Sequence, residues 1–134
     1  MFEEKDSEGN KDIDLSEALE RIGGDESFLQ ELLSIYAEDY LEKYPQLEKA
    51  ISEQDFETIK EIGHSLKGSS GNLGLNRLQE TCYAIELSGR ERNLERAKQN
   101  VLLLAREFLR LLTYIPSPKR EEIESKLPSS RPDV

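Results

Sequence analysis

Residues 55–74 read Asp55-Phe56-Glu57-Thr58-Ile59-Lys60-Glu61-Ile62-Gly63-His64-Ser65-Leu66-Lys67-Gly68-Ser69-Ser70-Gly71-Asn72-Leu73-Gly74. Phe56, Ile59, Ile62, Leu66 and Leu73, with small Ser70, recur at three- and four-residue steps, which is one face of an α-helix and not the alternation of a strand. An α-helix turns about 100° per residue, so each direction follows from the spacing. His64 points roughly 160° from the mean apolar direction. The single histidine of the chain therefore faces solvent from a helix whose other side is buried. Gly68 lies one turn further along that polar face and Gly71 two turns; Lys67 sits beside the ring and Lys60 one turn back. Glycine inside a helix costs roughly 1 kcal/mol against alanine, and packing gives no visible reason for either glycine on an outer face. Together they strip the surface beside an imidazole, whose neutral form is a nucleophile near pH 7 without a separate base. Lys67 places a cation within reach of any anionic group attached to the ring.

The same helical period extends in both directions from this stretch. A short first helix over 14–22 ends at Gly23-Gly24. A second starts after Asp25, a good N-cap, with apolar positions 28, 29, 32, 33, 36, 40, 47 and 51; its stripe continues past Pro45, which predicts one long kinked helix. A fourth carries Leu75, Leu78, Cys82 and Ile85 and ends near Gly89. A fifth runs from Leu94 to about Tyr114 on Leu94, Ala97, Val101, Leu104, Phe108 and Leu111. Connections of two to six residues make neighbouring helices antiparallel, so the fold expected over 13–115 is all-α: an up-down-up-down four-helix bundle with the short N-terminal helix laid across one end. Residues 1–12 are polar, without apolar period, and read as a flexible segment. Residues 116–134 carry four of the five prolines and read as a Pro/Ser tail, with a turn or two of helix over 118–127 that Ser117 would cap ahead of Pro118.

Composition narrows the function. The 134 residues are 36% apolar and 34% charged, and acidic residues outnumber basic ones 28 to 18 for a net charge of −10. That balance disfavours nucleic acid and anionic membranes as partners. One cysteine and one histidine exclude a disulfide within the chain and multi-Cys or multi-His metal sites. Glu61 and His64 have the spacing of a di-iron bundle motif, but such sites need two inward-pointing pairs. Gly68, Gly71 and Gly74 do not form a dinucleotide fingerprint, and no P-loop or kinase-type ATP motif is present. No run approaches the length of a membrane span. The charged N-terminus does not read as a secretory signal, so a cytoplasmic protein is expected.

His64-Ser65-Leu66-Lys67-Gly68-Ser69-Ser70, followed by Gly74, closely resembles the H-x-L-K-G-S-S core and later glycine of the histidine-containing phosphotransfer (HPt) domains of multistep phosphorelays. Cys82 in LQETCYAIE falls where that family often has cysteine, and ALERIGGDESFLQELL is similar to its usual opening. The resemblance covers residues 13–113. It implies His64 as phosphoacceptor, Lys67 as stabiliser of the phosphoryl group, and Gly68 as the gap through which a partner docks. Gly89-Arg90 resembles an ending of stand-alone eukaryotic members whose arginine lies near the phosphorylation site. Those members tend to have glutamine where this chain has Glu86, a departure that leaves a negative charge near the site. Gly63 replaces an alanine common in bacterial members.

On this resemblance the expected function is a phosphocarrier, not an enzyme with its own ATP site. It takes a phosphoryl group from one receiver-domain aspartate and passes it to another. Its partners would be the receiver domains of response regulators and hybrid histidine kinases, docking around Lys60, His64, Lys67, Gly68, Gly71 and Arg90. No cofactor is expected on a monomeric chain, Mg²⁺ belonging to the receiver. Solvent access favours the distal Nε2 as the modified nitrogen. A non-relaying interaction adaptor and the phosphotransfer module of a larger histidine kinase are the alternatives.

Overall fold

The computed structural model describes residues 15–127, so the expected flexible segment 1–12 lies outside the described residues. Among the described residues six helices follow one another: α1 (Ser16–Arg21), α2 (Glu26–Ser52), α3 (Phe56–Asn72), α4 (Asn76–Arg90), α5 (Leu94–Leu112) and α6 (Lys119–Glu124). No strand occurs among the described residues, and no described helix is long and apolar enough to cross a membrane.

Local chemistry fixes the ends. The Asp25, Asp55 and Asn93 side chains accept the backbone N–H groups of Phe28, Thr58 and Arg96, at 3.1, 3.2 and 3.1 Å, satisfying donors that a helix start leaves unpaired. Gly74 closes α3 at φ 73°, in the left-handed region that favours glycine, and its backbone lies against α1, where an added Cβ would stand 3.3 Å from the Ala18 nitrogen. α2 runs unbroken through Pro45, as its stripe predicts, although the proline has no N–H to donate to the preceding turn.

The stripes meet in one core. Leu29, Leu33, Tyr36, Tyr40 and Leu47 of α2 are buried with Ile59 and Leu66 of α3, Leu78, Cys82 and Ile85 of α4, and Leu104, Phe108 and Leu111 of α5. The Tyr40 and Phe108 rings stack with centroids 3.6 Å apart and planes within 7°. Phe28 belongs to the α2 stripe by spacing, but it is 44% exposed. α3 packs most extensively on α4, α4 on α5, and α2 on both α3 and α5. Burial pushes the Cys82 thiol up to about 12, as suits a small core residue.

The segment after Ile115 differs from the capped turn expected there. α6 begins at Lys119 with Pro118 at its N-cap and no side-chain cap, so Ser117 does not fill that role. Its Ile123 is fully buried, Leu127 packs beside the core, and Lys119 Nζ donates to Glu38 Oε2 of α2 at 2.8 Å. Burial of Ile123, with Leu127 beside the core beyond the end of α6, ties this stretch to the bundle in spite of its prolines.

Candidate functional site

α3 and α4 approach more closely than ordinary side chains permit, and two glycines make this possible. A Cβ on Gly63 would stand 2.6 Å from the Glu86 nitrogen; a Cβ on Gly89 would stand 2.5 Å from the Lys60 nitrogen and 2.7 Å from the Phe56 oxygen. The contact is reciprocal: each helix gives up a side chain where the other's backbone presses in. Gly63 thus has a packing cause, and the residue after it, His64, is carried to the edge of the α3–α4 seam.

There the ring meets a buried carboxylate. The His64 side chain is 68% exposed and that of Glu86 4%. Nδ1 lies 3.3 Å from Glu86 Oε2. Arg90 donates to the same oxygen at 2.7 Å, and Lys67 Nζ forms an ion pair with Glu86 Oε1 at 2.9 Å. Burial opposes ionisation of Glu86, but the Lys67, Arg90 and His64 partners outweigh it and hold the carboxyl below its ordinary range. An ionised carboxylate only accepts hydrogen bonds, so Nδ1 donates, and in the neutral ring Nε2 then carries the lone pair. The exposed ring is thereby fixed in one tautomer, nucleophilic at its distal nitrogen.

The other expected residues separate into groups. Lys67, beside the ring, also lies over Tyr83 at 4.9 Å from the ring centroid; Tyr83 is 47% exposed, and nothing in the spacing of α3 points to it. Nothing would stand within 4 Å of a Cβ on Gly68, so the surface beyond the imidazole is open there. Gly71 is different: a Cβ there would come within 2.5 Å of Gln79 Nε2 on α4. That atom is the far end of a flexible side chain, so the space at Gly71 is partly filled, but by a group that can shift aside. Lys60, one turn before His64, pairs with Glu57 at 3.2 Å. Ser69 and Ser70 donate to the Ser65 and Leu66 carbonyls at 3.2 and 2.8 Å, and Tyr36 donates to Ser70 at 2.7 Å, so both serines are structural.

The sequence reading leaves Glu86 as a charge near the site; the fold makes it the centre. A glutamate four residues before an arginine suggests a pair within α4, but its bonds to His64 and Lys67 cross between helices and leave no periodic signal.

Residues 31–114 match the Hpt domain family. The chain belongs to that family. It is 28% identical over 71 residues to the phosphorelay intermediate protein YPD1 of Candida albicans, covering 53% of this chain and 39% of that one. It is 27% identical over 87 residues to pseudo histidine-containing phosphotransfer protein 2 of Oryza sativa subspecies japonica, covering 63% and 58%. The chain thus spans less than two thirds of the length of these relatives. No solved structure matches it.

Proposed function

We propose that this Hpt domain protein is a phosphorelay intermediate that accepts a phosphoryl group on His64 Nε2 from a receiver-domain aspartate and hands it to a second receiver. One observation carries the reading: in a chain of this family, the single histidine stands on the surface with Nδ1 tied to Glu86 and Nε2 free, beside the bare surface at Gly68. Lys67 lies next to the ring and supplies positive charge as the phosphoryl group arrives. The protein contributes a fixed nucleophile and a docking face over α3 and α4, with Lys60, Gly68, Gly71 and Arg90 in the footprint. The receiver contributes Mg²⁺ and most of the transition-state stabilisation, so the carrier has no ATP site and no cofactor of its own. The four long helices α2–α5 form an antiparallel up-down-up-down bundle over 26–112 that keeps the site rigid, and the protein works as a cytoplasmic monomer. The test mixes purified protein with a phosphorylated receiver domain. The reading expects acid-labile, base-stable label on wild type and none on His64→Gln.

A further inference from the structure

We propose that Glu86 is a positioning residue that weakens the phosphorus–nitrogen bond formed at His64 and so drives the phosphoryl group onward. This rests on the relay reading above. In the loading step the Nε2 lone pair attacks the phosphorus of an aspartyl phosphate. The P–O bond to the aspartate breaks, and its electron pair leaves on the carboxylate. The ring has gained a substituent at Nε2 and still carries its proton at Nδ1, so it is a phosphorylated imidazolium. From that form the ring departs as neutral imidazole, a good leaving group. If Nδ1 loses its proton first, the ring must depart as an imidazolate, and the P–N bond persists.

The acceptor facing Nδ1 therefore sets the lifetime of the bond. Here it is a carboxylate, 3.3 Å away on a side chain only 4% exposed, so water competes little for it. A neighbouring anion favours the cationic form of an imidazole, and a hydrogen bond to that form favours it further. The charges at the site act in the same direction. An arriving phosphoryl group brings close to two negative charges, but both nearby cations are engaged by the same carboxylate, Lys67 at 2.9 Å and Arg90 at 2.7 Å. Glu86 thus accepts the Nδ1 proton of the phosphorylated ring and also offsets the charge that would retain the group.

Other ionisable groups on the adjoining helices have different partners or orientations. Lys60 pairs with Glu57 on α3, Asp39 pairs with Lys43 on α2, Glu61 is exposed, and Tyr83 of α4 lies under Lys67.

The chain has one histidine, so its signals need no assignment. Wild type and Glu86→Gln are loaded with phosphoramidate, the loss of the group is followed by phosphorus NMR, and the ring is titrated by nitrogen-15 NMR. Phosphorylated His64 in wild type is expected to titrate at Nδ1 about one pH unit above the glutamine variant, and to lose its group about tenfold faster near neutral pH. Equal lifetimes and equal titration in the two folded proteins overturn the role of Glu86 and leave the relay reading standing. Wild type that accepts no group from phosphoramidate or from a phosphorylated receiver overturns the relay reading itself. If the glutamine variant does not fold, wild type is compared with phosphohistidine in an unstructured peptide, and coincident titration overturns the proposal.

Discussion

His64 and Glu86 belong to different helices, yet Nδ1 of one and Oε2 of the other meet at 3.3 Å, with one side chain 68% exposed and the other 4%. That combination joins a reactive surface group to an anchor that solvent does not reach. It depends on how closely α3 and α4 approach, and the approach depends on Gly63 and Gly89.

Gly63→Ala and Gly89→Ala each insert a methyl group within 3 Å of the opposing backbone. Backbone cannot swing aside as a side-chain end can. Overpacking of this kind costs about 1–3 kcal/mol, which exceeds the roughly 1 kcal/mol that alanine gains over glycine in a helix. Both variants are expected to lower stability in urea unfolding.

Gly68→Ala should behave in the opposite way. Its Cβ meets nothing within 4 Å, so the helix gains up to about 1 kcal/mol. Gly68→Gln should fold as well as wild type and lose receiver-dependent loading, because its side chain fills the approach to the ring. Urea unfolding and a loading assay on the same preparation separate the two effects; a melted bundle would make Gly68 structural instead.

Glu107 of α5 provides a pH test. Burial pushes its carboxyl above the usual range, against the hydrogen bond with Thr81 at 2.7 Å and the Arg77 guanidinium at 3.7 Å. A carboxyl raised in the folded state binds its proton more readily there than in the unfolded chain. Stability therefore falls as pH rises from the unfolded value through the folded one, and stays lowered at neutral pH. Glu107→Gln removes this cost, so the variant is expected to melt above wild type at pH 8. At pH 4 the gain should vanish. Glu86 has the opposite sign: its depressed value contributes stability above the ordinary carboxylate range, which is lost as pH falls through the folded value.

Ile123→Ala should cost about 2–4 kcal/mol and release α6 from α2, because the side chain is fully buried. Faster amide exchange confined to α6 would show release; an unchanged melting curve would contradict the packing.

Much of this was legible in the chain. Asp25 marks the start of α2 through its side-chain chemistry, and the stripe of α3 determines that His64 faces outward. These are properties of one helix and its own period. What stayed hidden lies between helices. Glu86 reads as a charge beside the site because the pattern of α4 does not reveal that Lys67 and His64 of α3 stand opposite it. The Gln79 side chain of α4 fills space beside Gly71, and Gly89 looks like a helix end although its role is to admit the backbone of Lys60. At the C-terminal end the prolines obscure Ile123 and Leu127, whose burial decides where that segment lies.

The central claim is that a phosphoryl group passes through His64. Label should be followed from a phosphorylated receiver onto the protein and then onto a second, unlabelled receiver, with wild type and His64→Gln side by side. The account predicts label on the second receiver only when wild type is present, by way of an acid-labile, base-stable intermediate on the carrier. Transfer at the same rate with folded His64→Gln, or none with folded wild type, would contradict it.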